Sequence, residues 1–177
     1  MDTEEKNTSK EKKEVKIEIQ LLIKLLIKLA VIALVGWILF GKIFLVTQVS
    51  GNDMFPTIKD GDLLLAYRIQ KDYKQDDSVV YCQDGELRVG RILAFENDVV
   101  TIDDSGELLV NGTLQSEEIL YPTYAKDGIT YPYTVPEGEV FILCDFRTEG
   151  TDSRDFGSVS LKEVKGLVIT LMRRREI

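Results

Sequence analysis

The longest hydrophobic run in the chain covers residues 21–46, where three lysines, Lys24, Lys28 and Lys42, interrupt an otherwise apolar sequence. A helix of about 20 such residues crosses a bilayer core of about 30 Å, and lysines near its ends extend their ammonium groups to the lipid headgroups. We predict a single uncleaved membrane anchor over residues 21–46. A cleaved signal peptide and an amphipathic surface helix are the alternatives; the run is too long for the first and too uniformly apolar for the second.

Beyond this run, the hydrophobic pattern predicts a mostly β domain over residues 47–177. Short segments rich in Val, Ile, Leu and Tyr alternate with Asp, Gly and Asn, and no amphipathic pattern of helix length competes with them. The predicted strands cover residues 63–69, 78–83, 87–96, 99–102, 108–110, 139–144 and 166–172, with one helical turn at 161–164. Hairpin turns are predicted at Asp84-Gly85, Ser105-Gly106 and Asn111-Gly112.

A distinctive turn-rich segment, residues 49–62, separates the anchor from the first of these predicted strands. Gly51 permits a tight turn with positive φ, and Pro56 fixes φ and opposes a helix. We therefore expect a rigid elbow that holds Asp53 and Met54. An ordinary turn capped by an Asx residue is the simpler interpretation of the same residues.

Charge is distributed unevenly along the chain. Residues 1–46 carry eight Lys against six acidic residues, and residues 47–177 carry fourteen Lys plus Arg against twenty-four acidic residues, a formal net charge of −10. This acidity argues against a nucleic acid partner and favours a basic or polar polypeptide. Lysines crowd the polar tail, residues 1–20, so the positive-inside rule places the N-terminus in the cytoplasm and residues 47–177 outside the cell membrane.

The chain contains no histidine. Ser-His-Asp and Cys-His catalysis are therefore excluded, as are zinc sites built on imidazole, and we expect neither a metal nor a cofactor. Cys82 and Cys144 lack the C-x-x-C spacing of redox and metal sites, and each lies in an apolar, strand-like segment. We predict two buried free thiols.

Three separated motifs carry a resemblance to a known family. They are M-F-P-T at residues 54–57, G-R-I at 90–92 and D-S-R-D-F-G at 152–157. In this order, behind an N-terminal anchor, they resemble the type I signal peptidase family, particularly its short Gram-positive form. The likeness covers most of residues 20–170 and implies that family's β-rich fold.

The resemblance also implies a Ser/Lys dyad, in which a neutral lysine removes the proton of an attacking serine. Here Asp53 stands at the serine position, Gly90 at the lysine position and Gly150 at that of a serine that orients the lysine. An aspartate carboxylate is a poor nucleophile towards an amide and repels a developing oxyanion, and glycine cannot move a proton. We therefore expect a pseudoenzyme without Ser/Lys peptidase activity.

The same resemblance supplies the remaining candidate residues. The candidates for a peptide groove are Ser50, Asn52, Asp53, Met54, Pro56, Gly90 and Arg91. Asp152, Ser153 and Arg154 are expected to support the site from beneath, with the aspartate and arginine paired. Such pairing disfavours the alternative of an aspartic-protease dyad formed by Asp53 and Asp152.

The functional expectation follows from the altered dyad. Catalytically altered relatives of the family occur in Gram-positive pilus gene clusters and are needed to assemble sortase-linked pili. By resemblance, we expect a membrane-anchored chaperone or assembly factor that binds pilin subunits or sortase through its groove. The alternative is an atypical but active signal peptidase that cleaves secretory precursors.

Overall fold

The structure, a computed structural model, describes residues 2–115, 119 and 121–173, with side chains from Lys16 onward. The chain divides into two compact units, Met1–Lys42 and Ile43–Ile177. Part of the predicted polar tail and of the loop before residue 122 thus lies outside the described residues.

The first unit is formed by one helix, α1 (Asp2–Ile43). Its stretch Lys16–Ile43 is long and apolar enough to cross a membrane, and its side chains are exposed rather than packed in a protein core. The helix begins well before the predicted anchor and ends three residues before the predicted boundary. Residues 44–46 belong instead to a β-strand. They are as apolar as the preceding helix, so the hydrophobic pattern alone did not show where the helix ends.

The second unit is mostly β, as predicted, and its larger sheet has seven antiparallel strands. In spatial order these are β1 (Phe44–Gln48), β2 (Leu63–Tyr67), β11 (Val164–Met172), β3 (Ser78–Gln83), β4 (Glu86–Phe95), β9 (Glu139–Leu143) and β10 (Val159–Ser160). A smaller sheet has the order β7 (Thr113–Leu114), β6 (Leu108–Val110), β5 (Val99–Ile102) and β8 (Tyr133–Thr134). A short helix, α2 (Ser153–Phe156), and a 3₁₀ turn, Leu161–Glu163, complete the described elements.

Both faces of the central strands are buried, which explains their continuous hydrophobic runs. On β3, Val80 packs with Met54, whereas Tyr81 packs on the opposite face with Ile142. On β9, Phe141 joins a third cluster that connects β4 with the smaller sheet. The central strands are consequently held by hydrophobic packing on both of their faces.

A buried polar network supports the end of β9. Asp152 caps α2, and its two carboxylate oxygens accept hydrogen bonds from Arg154 Nε at 2.9 Å and Nη2 at 2.8 Å. Asp152 Oδ2 also accepts from the Cys144 backbone N–H at 3.0 Å, and Ser153 Oγ accepts from Ile142 N at 2.9 Å. Asp152, Ser153 and Arg154 are each at most 1% exposed, so the whole network lies in the interior.

The electrostatics of this network follow from burial and pairing. Burial opposes ionisation of Asp152, but hydrogen bonds from Arg154 and the charge of its guanidinium outweigh it and hold the pKa of Asp152 below its ordinary value. Burial, followed by the Asp152 carboxylate, raises the pKa of the Cys144 thiol. The thiol donates to Asp152 Oδ2 at 2.9 Å. Cys144 is thus a buried free thiol as predicted, whereas Cys82 is free but only half-buried.

Asp152→Asn should lower the free energy of unfolding by about 3–5 kcal/mol at neutral pH, because it leaves the Arg154 charge buried without its partner. The difference from the unaltered chain should be complete above about pH 4 and shrink as the pH falls, since the lowered pKa of Asp152 means that the folded carboxylate gains its proton only at more acidic pH. Urea unfolding of the full chain in detergent micelles across this pH range measures both effects.

Asp104→Asn is the matched control, since Asp104 is an exposed carboxylate in the β5–β6 turn. It should change the free energy of unfolding by no more than about 0.5 kcal/mol. A difference for Asp152→Asn that stays constant down to pH 2 would contradict the assignment of an ionised, stabilising carboxylate.

Candidate functional site

The elbow between β1 and β2 is held by its own backbone and by polar caps. Val49 N donates to Asp62 O at 2.9 Å and closes the base of the loop. Gly51 has a positive φ of +91°, and its backbone N–H donates to Asp60 Oδ1 at 2.8 Å. Asn52 Oδ1 accepts from Asp60 N at 3.3 Å. Asp62 Oδ2 accepts from Lys59 N at 2.9 Å. The capping carboxylates of this loop are therefore Asp60 and Asp62, and Asp53 is available for a different role.

Two apolar side chains anchor the elbow to the sheet. Met54 is 1% exposed and Ile58 is 3% exposed, and both pack in the cluster that includes Val80 and Cys144. The backbone carbonyl of Asp53 accepts from Phe146 N at 2.8 Å. The main chain at Asp53 is thus fixed from both sides while its side chain remains 36% exposed.

A cleft of about 420 Å³ opens beside Asp53. One wall is the end of β1 and the start of the elbow, and the other is the first part of β4. Its lining residues are Thr47, Gln48, Val49, Ser50, Asp53, Met54, Val80, Glu86, Leu87, Arg88 and Val89. These residues include neither lysine nor histidine.

The structure brings three of the predicted groove residues to this cleft, Ser50, Asp53 and Met54. It does not bring Asn52, Pro56, Gly90 or Arg91 there. The exposed Asn52 side chain instead accepts a hydrogen bond from Asp60 N within the elbow.

Arg91 was assigned to the groove by its motif, and the structure places its side chain elsewhere. It forms a bidentate ion pair with the buried Asp145, with Nε and Nη2 each 3.1 Å from a carboxylate oxygen. Arg91 Nη1 donates to the carbonyl of Asp76 at 2.8 Å. The side chains of a strand alternate between its two faces, so Arg91 cannot share the orientation of residues 88 and 90. Arg91 therefore links β4 to the segments that follow β9 and precede β3.

Gly90 occupies a position with no room for a side chain. A Cβ atom there would lie 2.4 Å from Ile142 Cγ2, 3.2 Å from Tyr81 Cε1 and 3.3 Å from the Leu143 carbonyl. The position that the resemblance assigns to the lysine is thus filled by neighbouring side chains. Tyr81 is itself 1% exposed, and burial and then the Asp152 charge raise the pKa of its hydroxyl.

The space beside Gly150 is also occupied by neighbouring atoms. A Cβ atom on this residue would lie 2.4 Å from Cys144 Sγ and 3.0 Å from the Phe146 carbonyl. The thiol of Cys144 occupies the space that a lysine-orienting serine would need. Both glycines therefore lie where buried neighbours leave no room for a side chain.

Arg88 is the charged residue nearest Asp53 in the cleft, and it was one of the lining residues that the motifs did not reveal. It lies two residues before Gly90 on the same strand face, and its Nη1 is 3.7 Å from Asp53 Oδ2. Its Nη2 is 3.3 Å from Glu86 Oε2. Alternation along β4 would have placed Arg88 beside Gly90, but only the tertiary fold sets β4 opposite the elbow.

The alternative aspartic dyad would require Asp152 as its second carboxylate. The carboxylate of Asp152 accepts hydrogen bonds from both Arg154 and Cys144, so its oxygens are already engaged in the interior. The group that approaches Asp53 is the Arg88 guanidinium. Residue 53 therefore takes part in a charge pair within the cleft.

Gly90→Ala should lower the free energy of unfolding by about 1–3 kcal/mol, because its methyl group would overlap Ile142. Ile142→Ala should itself cost about 2–5 kcal/mol but create room for that methyl group. The double variant should then be less destabilised than the sum of the single variants by at least about 1 kcal/mol. Urea unfolding of the four proteins in detergent micelles measures the coupling, and strictly additive effects would contradict the crowding.

The chain is similar in sequence to proteins of a known family. The model of the signal peptidase family, peptidase S26, matches residues 21–172. Signal peptidase I of Bacillus licheniformis is 30% identical over 155 residues, which cover 77% of this chain and 82% of that protein.

Similarity extends to plant proteins and to a solved structure. The probable thylakoidal processing peptidase 2 of Arabidopsis thaliana is 32% identical over 137 residues, which cover 67% of this chain but only 35% of the plant protein. Signal peptidase I from Enterococcus faecalis V583 is 26% identical, with a TM-score of 0.48 over 56% of this chain and 98% of that one. Because the family match includes the anchor run, the elbow and the D-S-R-D-F-G motif, the chain belongs to the signal peptidase family, peptidase S26.

Proposed function

We propose that this protein is a membrane-anchored, non-catalytic member of the family that binds extended polypeptides in its cleft. Its ligands would be pilin subunits or other sortase-pathway polypeptides, which it holds during assembly of sortase-linked pili. The observation that carries the non-catalytic part is at residue 90, where Ile142 and Tyr81 fill the space that a basic side chain would need.

The chemistry at residue 53 supports the same conclusion. A carboxylate there, 3.7 Å from a guanidinium, is a weak nucleophile towards an amide. Its charge also opposes formation of an oxyanion next to it. With no lysine or histidine among the cleft-lining residues, the cleft lacks a side-chain base of the kind that activates a serine.

Polypeptide binding is supported by the open strand edge along the cleft. The β4–β9 ladder begins only at Arg91, which pairs with Leu143. Among the described residues, β4 from Glu86 to Gly90 therefore has a strand partner only on its β3 side. An extended segment can add to such an edge through main-chain hydrogen bonds, with side chains entering the cleft.

The partner class and the topology rest on the sequence. The combination of Asp53 and Gly90 is the pattern that the resemblance associates with pilus assembly, and the acidic domain suits a basic or polar polypeptide. The lysine-rich segment before the apolar run favours a cytoplasmic N-terminus and an extracellular domain at residues 47–177.

Full-length protein in lipid nanodiscs should leave a secretory precursor with an Ala-x-Ala site uncut. Bacillus licheniformis signal peptidase I, assayed in parallel, serves as the positive control for cleavage. Electrophoresis of the precursor over time measures the reaction. Cleavage at the Ala-x-Ala site would overturn the non-catalytic assignment.

Binding can be tested in pilus-forming cells with a photoreactive amino acid at position 87. Leu87 lines the cleft and is 49% exposed, whereas Ile69, the matched control, is 50% exposed and lies outside the lining. Crosslinks to a pilin or sortase should form from position 87 and not from position 69. Equal yields at both positions, or none at either, would contradict binding in the cleft.

An atypical active signal peptidase is the second candidate, favoured by the names of the similar proteins, which are peptidases. If Asp53 takes part in such a reaction, Asp53→Asn should abolish precursor processing. Asp84→Asn, the same chemical change at an exposed hairpin turn where φ is +53°, should leave processing unaltered. Processing that survives Asp53→Asn would eliminate this candidate's use of residue 53.

A further inference from the structure

The cleft presents a hydrogen-bond acceptor and a donor side by side. Asp53 Oδ2 and Arg88 Nη1 are 3.7 Å apart, which is within reach of charge attraction but too long for a hydrogen bond. Asp53 is 36% exposed, and among the described residues its carboxylate accepts no hydrogen bond. Both groups line the cleft and keep hydrogen-bonding capacity for a ligand.

Stability alone does not account for the position of Arg88. Its Nε is buried and, among the described residues, has no hydrogen-bond partner, an arrangement that normally costs free energy. Its contact with Glu86 is with a side chain that is 75% exposed, and exposed ion pairs contribute little. The elbow also keeps its shape through Asp60 and Asn52, without the Asp53 carboxylate.

An extended polypeptide matches this pair. In a strand, the N–H and C=O of one residue point to the same side, so that one residue presents a donor beside an acceptor. The open edge of β4 over Glu86–Gly90 would guide a strand along the cleft wall from which Arg88 projects.

We propose that Asp53 and Arg88 act together as a main-chain reader: Asp53 accepts the N–H of one residue of the bound polypeptide, and Arg88 donates to the C=O of that residue. The inference rests on the proposed binding function and adds the contact that sets the register of the ligand. It makes residue 53 a recognition residue at the position where the family has its nucleophile. It also predicts rejection of proline at one ligand position, since proline has no N–H.

The experiment uses full-length protein in nanodiscs and a fluorescein-labelled nonapeptide of alternating Thr and Ala, acetylated and amidated at its ends. In a series of analogues, an ester oxygen replaces one amide N–H at a time, and fluorescence anisotropy measures each dissociation constant. One ester position should weaken binding to the unaltered protein by about tenfold or more, as expected for a lost hydrogen bond to a charged group. With Asp53→Ala, the same ester should weaken binding by less than about twofold.

Further variants separate a reader from a general charge effect. Arg88→Met should weaken the all-amide peptide by about tenfold or more, because it removes the donor to the carbonyl, and Arg88→Lys should restore only part of the affinity. Asp84→Asn, which removes one negative charge at the nearby β3–β4 turn, should keep the position-dependent ester effect. Thermal unfolding of every variant checks that the fold is retained.

The outcomes distinguish the two proposals. Absence of peptide binding by the unaltered protein would overturn both of them. Binding with the same ester sensitivity in Asp53→Ala, or with full affinity in Arg88→Met, would overturn the reader and leave the polypeptide-binding function in place.

Discussion

The buried ion pair between Asp152 and Arg154 is the interaction on which the surroundings of the cleft depend. Asp152 caps the short α2 helix and also holds the backbone and thiol of Cys144, where β9 ends. Two residues further on, Phe146 N donates to the carbonyl of Asp53 and fixes the elbow. A buried charge pair of this kind tolerates little displacement, because loss of either partner leaves the other charge without compensation. The elbow is thus positioned through a chain of direct contacts that begins in the core.

Gly90 and Gly150 lie in tightly packed parts of the interior. Tyr81 and Ile142 crowd Gly90, and the Cys144 thiol crowds Gly150. Since protein interiors are close-packed, a residue without a side chain at such a site implies that its neighbours have taken the space. The open cleft instead contains a charge pair between Asp53 and Arg88. Among the described residues, the pair lies beside a stretch of β4, Glu86 to Gly90, that has a strand partner only on its β3 side.

Sequence patterns located the longer strands well, because strands buried on both faces give continuous apolar runs, as in β3 and β9. They missed β1, whose apolar residues continue the run of the preceding helix, and β7, β8 and β10, which are only two residues long. They also missed α2, because a single turn of four residues has no helical period to detect. Motif spacing predicted both Asp53 and Arg91 for one groove; Asp53 lines the cleft, whereas the Arg91 side chain is turned to Asp145.

The sequence by itself determined the anchor-like helix, the β-rich domain, the family motifs and the absence of histidine from the chain. These are local properties of composition, periodicity and motif order. Only the tertiary structure decided that Arg88 faces Asp53, that Ile142 and Cys144 fill the glycine positions, and that β4 keeps an open edge beside the cleft. Asp53 and Arg88 are 35 positions apart, and Gly90 and Ile142 are 52 apart. Contacts between such distant residues are fixed by strand register and packing, which no short segment of the sequence encodes.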